Sequence, residues 1–410
     1  MSRCRPLRSG VSSALAGLLL IGGASIPLGA QTANESGGDA RLRLGPLALS
    51  PSIELTRFGM DTNVFNEFED AKRDFTFTLS PRVGASLRAG RARLYASSRS
   101  DLVYFHRYSS ERGAGGAADV RLEVPATRLT PWITGSFLSA RQRVGYEIDL
   151  RFRRVATEAA AGVDARVGGR TRVGLSVRQG AFRHDPDAVF LGSSLRDVLD
   201  RQQTAVGAEL RYALTPLTTF VTAVQGSRER FEFTPTRDSS SARVEAGFDL
   251  APSALIGGYG RIGFRRFVGS GGALPRYSGI VAAVTAASTI RGRTRVEVTT
   301  ERDLNYSWEP DYPYFVLSGV TFAVTPQLTP RWQVTGRTSL RRLAYRTALG
   351  VPELIRHRVD RVDVVGGGIG LRVGGDMRLG INVDRERRTS PVRRRAFEAV
   401  RTGISVTYGR

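Results

Sequence analysis

The sequence has little of the residue chemistry on which most enzymes depend. Of its 410 residues one is cysteine and three are histidine, and Lys72 is the only lysine. The single cysteine, Cys4, excludes a disulfide within the chain, and the single lysine leaves little scope for lysine chemistry. The spacings HExxH, CxxC and GxSxG are absent, so no zinc, redox or nucleophile motif is present. We therefore predict a protein that is not an enzyme and that needs no cofactor and no metal.

Long apolar runs are also missing, except near the N-terminus. Three arginines among the first eight residues precede an apolar run at residues 11–21, and Leu28-Gly29-Ala30 offers a cleavage site. This pattern predicts a cleaved signal peptide over residues 1–30. A membrane helix is disfavoured because it needs about 20 apolar residues. Residues 31–40 are then a short periplasmic segment, too short for the plug domain of a TonB-dependent transporter.

In the rest of the sequence, apolar and polar residues alternate. In residues 74–88, DFTFTLSPRVGASLR, apolar and polar side chains alternate, and residues 293–308, RTRVEVTTERDLNYSW, do the same. Alternation with a period of two indicates strands. A soluble sandwich also alternates, but its strands are usually about 5–6 residues long. These segments are longer, whereas about 9–11 tilted residues cross a bilayer.

Turn residues divide these segments at regular intervals. Glycine and proline mark eight tight turns, about 40 residues apart, and nine looser polar segments lie between them. Outer-membrane barrels alternate short periplasmic turns with longer external loops and have an even number of strands. The sequence therefore predicts an all-β fold, a transmembrane antiparallel up-and-down β-barrel over residues 41–410, with about 18 strands, or 16.

Aromatic residues recur near the predicted strand ends. In outer-membrane barrels such residues form girdles at the two membrane interfaces, so they are predicted to face lipid. They are Tyr104, Phe105, Tyr146, Phe231, Tyr306, Trp308 and Tyr345 before the loops, and Trp132 and Trp332 after the turns.

The formal charge of +22 comes from 60 Lys and Arg residues against 38 Asp and Glu residues. Such a balance is typical of proteins that bind nucleic acid. Export argues against a nucleic-acid partner, and the arginines are spread at alternate positions. One hypothesis is a water-filled pore lined by arginine, which favours anions. The other is that these arginines pair with inward acids in networks that hold the wall rigid, and both can hold at once. These acids are Asp101, Glu158, Asp164, Glu209, Glu297, Asp376 and Asp384. The lumen-lining candidates are Arg82, Arg88, Arg91, Arg93, Arg99, Arg166, Arg172, Arg178, Arg211, Arg293, Arg295, Arg337 and Arg378.

The first predicted external loop is acidic in an otherwise basic chain. Carboxylates are ligands for calcium, but no fixed ligand spacing is present, so a solvated loop is the favoured interpretation. His106, His184 and His357 fall near other external loops and are predicted to be solvated. The acidic-loop candidates are Asp61, Asn63, Glu67, Glu69 and Asp70.

The last residues, RTGISVTYGR, form an alternating strand that we predict closes the barrel. Arg401, Gly403, Val406 and Tyr408 have the spacing polar-x-Gly-x-x-hydrophobic-x-aromatic. This spacing resembles the signal by which the barrel assembly machinery recognises outer-membrane proteins, although that signal commonly ends at the aromatic residue. The resemblance implies that this machinery is a partner.

Residues 44–67, LGPLALSPSIELTRFGMDTNVFNE, resemble the start of the putative beta-barrel porin family, whose members often lie beside exopolysaccharide genes. The resemblance implies a porin-like channel or conduit in the outer membrane of a Gram-negative bacterium, in contact with lipid and lipopolysaccharide and linked to polysaccharide export. The alternatives are a non-conducting structural or polysaccharide-binding barrel and, with less support from the residues, an outer-membrane hydrolase.

Overall fold

Long strands make up most of the chain in the computed structural model, which describes residues 42–409 apart from 144, 273 and 352–357. The predicted signal peptide and residues 31–40 lie outside the described residues. One short helix, Leu195–Leu199, is among the described elements. The strands are β1 (Leu42–Leu44), β2 (Leu47–Asp61), β3 (Asp74–Ala89), β4 (Ala92–Phe105), β5 (Gly113–Glu123), β6 (Leu129–Gln142), β7 (Phe152–Arg166), β8 (Thr171–His184), β9 (Val189–Phe190), β10 (Ser193–Ser194), β11 (Arg201–Thr215), β12 (Thr218–Phe231), β13 (Ser239–Leu250), β14 (Ile256–Gly269), β15 (Tyr277–Ile290), β16 (Thr294–Tyr306), β17 (Tyr314–Pro326), β18 (Trp332–Arg346), β19 (Val359–Val373), β20 (Met377–Thr389) and β21 (Phe397–Tyr408).

Eighteen of these strands, β2–β8 and β11–β21, close into one antiparallel barrel, which confirms the predicted fold and strand number. Each strand pairs with its neighbours, and β21 pairs with β2 from Ile53↔Tyr408 to Asp61↔Arg401. The terminal strand therefore closes the barrel, as predicted. Closure pairs the first strand of the barrel with the last, as a structure inside lipid requires.

Short turns lie at one end of the barrel and longer loops at the other. The turn between β3 and β4 consists of Gly90 and Arg91, and Gly90 has a φ of 57°, a left-handed conformation that glycine adopts without steric cost. The loops at the opposite end include residues 62–73 and 185–200, the latter with the β9–β10 hairpin. By the usual asymmetry of outer-membrane barrels, the turns face the periplasm.

The outer surface of the barrel is apolar. Leu175, Val177, Ile262 and Phe264, for example, are 49–62% exposed on alternate positions of β8 and β14. Burial against lipid explains such a band, because a soluble monomer rarely exposes contiguous apolar surface on this scale. Within the described residues, no helix is both long and apolar enough to cross a membrane.

Candidate pore and its constriction

The inner face of the barrel carries most of the arginines singled out from the sequence. By strand alternation, eleven of the thirteen candidates share the face opposite the apolar band, whereas Arg91 and Arg293 lie in turns. At least seven of the eleven are ion-paired with carboxylates on the same face. The pairs are Arg82–Glu54, Arg93–Glu123, Arg99–Asp101, Arg178–Glu158, Arg211–Glu209, Arg295–Glu297 and Arg337–Asp384.

These pairs remain in contact with water. The exposed fractions of the Arg295 and Glu297 side chains are 32% and 29%, and the two atoms that meet are 3.2 Å apart. Exposed ion pairs contribute about 0–1 kcal/mol each to stability. The arginines of the wall can thus be paired and still present charge to a solute in the lumen.

At the loop end, several segments fold into the lumen and contact one another. We call them the loop cluster. The cluster consists of the described residues of the loops 62–73, 143–151, 185–200, 307–313 and 390–396, with the adjoining ends of β16 and β17.

The β16–β17 hairpin enters the lumen because its end leaves the barrel wall. Pairing between β15 and β16 stops at Ala282↔Arg302, whereas β16 and β17 stay paired as far as Tyr306↔Tyr314. Beyond Arg302 both faces of β16 are buried, since Leu304 is 2% exposed and Asp303 is 7% exposed. A strand in the wall has one face toward lipid, so this end lies inside the barrel.

Arg237 holds this hairpin in place. Its guanidinium donates to the carbonyls of Ser307 and Pro313 on the two arms of the hairpin, and to the carbonyl of Val198 in the neighbouring loop at 2.7 Å. The side chain is buried, and burial lowers its pKa to about 10. The fork of five donors in arginine suits it to joining several carbonyls at once.

The loop 143–151 crosses the lumen to meet the hairpin. The hydroxyl of Ser307 donates to Glu147 Oε1 at 2.5 Å, and the backbone N–H of Trp308 donates to Oε2 at 3.3 Å. Trp308 also packs with Ile148 and Leu195 in an apolar cluster. Burial raises the pKa of Glu147 to about 7, because removal from water disfavours the charged carboxylate.

A buried arginine network fixes the cluster to strands β19 and β20. Asp360, 0% exposed, accepts hydrogen bonds from Arg358 at 3.0 Å, Arg388 at 2.6 Å and Ser390 at 2.7 Å. Arg388 also donates to the carbonyl of Glu147 at 3.2 Å. Arg388 thus links Asp360 on the barrel wall to the loop 143–151.

The acidic-loop candidates do not form one cluster. Asp61 pairs with Arg401 at 3.0 Å, and the buried Asn63 donates to the carbonyls of Glu67 and Glu398, so both residues hold the loop to the barrel. The other three candidates are more exposed: Lys72 contacts Glu67 and Asp70, and Arg393 contacts Glu69. In the part of the chain that the structure describes, no group of three or more His, Cys, Asp and Glu side chains is arranged to hold a metal.

Two further sequence predictions need correction. His184 is not solvated, since it is 7% exposed and its Nδ1 lies 2.8 Å from Asp200 Oδ1. His106 is exposed, and His357 lies outside the described residues.

Most of the predicted girdle aromatics do not face lipid either. Trp132 faces the lumen beneath Arg121, whereas Tyr104 and Trp332 are on the outer face. Alternation with hydrophobic neighbours could not distinguish an interfacial ring from one packed inside the mouth. Those that pack inside are Phe105, Tyr146, Phe231, Tyr306, Trp308 and Tyr345.

The residues of the proposed assembly signal lie on β21. Arg401 bridges Asp61 on β2 and Glu386 on β20, and Tyr408 is 51% exposed on the outer face. Gly403 lies where β21 approaches β2 closely, because a Cβ there would come within 3.1 Å of the Arg57 backbone. Recognition by the assembly machinery stays a prediction.

A family model described as Putative beta-barrel porin 2 matches residues 38–410. The chain belongs to this family. The resemblance found in residues 44–67 is thereby confirmed, and the porin is an outer-membrane β-barrel. Among curated proteins, none matches its sequence.

The porin is also similar to solved outer-membrane proteins at low identity. OpdK from Pseudomonas aeruginosa is 11% identical, with a TM-score of 0.48, over 88% of this chain and 98% of that one. A BenF-like porin from Pseudomonas fluorescens Pf-5 is 10% identical, with a TM-score of 0.49, over 89% and 98%. The siderophore receptor PirA from Pseudomonas aeruginosa is 8% identical, with a TM-score of 0.42, over 88% and 79%.

Proposed function

We propose that this porin is a passive channel that favours small anionic solutes, with the loop cluster as its narrowest part. The observation that carries the proposal is the set of solvated arginines on the inner wall. Arginine side chains lining a pore favour anions electrostatically. The formal charge of the chain, +22, also favours anions over cations.

A second candidate is a non-conducting structural or polysaccharide-binding barrel, which fits the exopolysaccharide association implied by the family resemblance. The loop cluster favours it, because Trp308, Leu195 and Asp360 are nearly inaccessible to solvent inside the mouth. A lumen filled at one end can serve to display loops instead of passing solutes.

Liposome permeation with solutes of matched size separates these candidates. Gluconate, sorbitol and N-methylglucamine are similar in size and are negative, neutral and positive at neutral pH. We expect the refolded porin to pass gluconate fastest and N-methylglucamine slowest, because the wall repels cations. Faster entry of the cation contradicts anion preference. A folded barrel that passes none of the three supports the non-conducting candidate.

A further inference from the structure

Strand β2 contains a bulge that sets one arginine apart from the others. Leu55 pairs with Val406 and Phe58 pairs with Ile404, so two residues of β2, Thr56 and Arg57, face one residue of β21. Arg57 has a φ of 55°, in the left-handed region that residues other than glycine rarely adopt. Bulges re-aim a side chain and are enriched beside functional sites.

Two glycines permit this bulge. A Cβ on Gly59 would lie 2.0 Å from the carbonyl oxygen of Thr402, and one on Gly403 would lie 3.1 Å from the carbonyl carbon of Arg57. Any larger residue at position 59 would push β2 away from β21. The conformation of Arg57 therefore depends on a glycine in each of the two strands that close the barrel.

The charged groups around Arg57 belong to the lumen. Its guanidinium lies deep among the atoms that surround the lumen, and the charges that act on it are those of Arg401, Asp61, Glu386 and Arg337. Arg57 itself is exposed. Because these neighbours lie on the inner faces of four strands, the solvent that reaches Arg57 is that of the lumen, just below the first loop.

Arg57 differs from the two neighbouring arginines in having no carboxylate partner among the described residues. Arg401 is paired with Asp61 and Glu386, and Arg337 is paired with Asp384 at 2.6 Å. The side chain of Arg57 forms no hydrogen bond or ion pair with any residue that the structure describes. An accessible guanidinium without a carboxylate retains its donors for a mobile oxyanion.

We propose that Arg57 is the docking residue for the oxyanion group, carboxylate or phosphate, of a solute passing below the loop cluster. This inference rests on the proposed function, since it names the site at which that anion preference acts. The guanidinium offers two parallel N–H donors to two oxygens.

The test uses inorganic phosphate as the probe, measured as the concentration that halves the chloride current through single channels in a planar bilayer. Arg57→Asn removes the charge while keeping a residue that tolerates left-handed backbone. We expect the half-blocking concentration to rise by about tenfold, the loss of one charge-assisted contact. Arg57→Lys keeps the charge but lacks the two parallel donors of the guanidinium. Its half-blocking concentration should lie between those of the wild type and Arg57→Asn.

Arg385→Asn is the matched control. Arg385 is on the outward face of β20, is 57% exposed and pairs with Glu398 at 2.8 Å, so its loss changes the net charge equally outside the lumen. Equal block in Arg57→Asn, Arg385→Asn and the wild type overturns the docking role while leaving a measured anion preference intact. A wild-type channel that conducts without anion preference or phosphate block overturns the proposed function and the inference together. Heat-modifiable migration on gels shows whether each variant is folded.

Discussion

Replacing Asp360 with asparagine is expected to lower the free energy of unfolding by about 3–5 kcal/mol, the cost of removing one partner from a buried ion pair. Asp360 is fully buried and accepts hydrogen bonds from Arg358 and Arg388. Its loss leaves the buried Arg388 with only a longer contact to a carboxylate, 3.7 Å to Asp149, and leaves Arg358 with Glu309 alone. Unfolding in urea, followed by tryptophan fluorescence in lipid vesicles, measures the change.

Glu297→Gln is the control for this prediction. Glu297 also pairs with an arginine, Arg295, but both side chains are about a third exposed in the lumen. The loss expected here is about 0–1 kcal/mol, because water replaces the partner. Equal losses in the two variants would show that the network around Asp360 is not insulated from water.

Docking of the loop 143–151 is expected to weaken as the pH rises. Burial raises the pKa of Glu147 from its ordinary 4.5 to about 7, so the docked loop holds a proton that the undocked loop releases. A raised acid pKa stabilises the docked state at low pH, and this stability is lost between about pH 4.5 and 7. The change is about 3 kcal/mol, or about a hundredfold in docking equilibrium.

Hydrogen exchange of the loop amides, corrected for the intrinsic pH dependence of exchange, measures this docking equilibrium. Protection should fall from pH 5 to pH 8 in the wild type. In Glu147→Gln the slope should disappear, since glutamine stays neutral while Glu309, Arg358 and Arg395 nearby are unchanged. A slope that persists in this variant would assign the titration to another group.

The barrel could be predicted from the sequence because its strands and turns depend on residues that are close together in the chain. Alternation sets the strands, and turn residues such as Gly90 and Gly374 mark the short connections. Antiparallel neighbours joined by such turns leave one arrangement for a closed sheet. The placement of short and long connections then fixed which end carries the loops.

The loop cluster could not be predicted in this way. Residues 303–306 alternate like any wall strand, and a period of two does not distinguish lipid from a lumen filled with other loops. The contacts that draw the hairpin inward, from Arg237 and Glu147, are separated from it by many residues in sequence. For the same reason, the sequence pattern predicts Tyr306 and Trp308 at the membrane interface.

The bulge at Arg57 did leave a signal in the sequence. The apolar positions of β2 run Ile53, Leu55 and then Phe58, so the alternation shifts by one residue at Thr56-Arg57. A glycine follows at position 59, where close approach of another backbone is needed. A shift in alternation beside a glycine is a sign of a bulge.

Single-channel recording of the refolded porin in a planar bilayer under a salt gradient tests the central claim, an anion-preferring pore narrowed by the loop cluster. We expect discrete conductance steps and a reversal potential on the side of anion selectivity, set by the lumen arginines. The absence of conductance from a protein shown to be folded, or a reversal potential that indicates cation selectivity, would contradict the account.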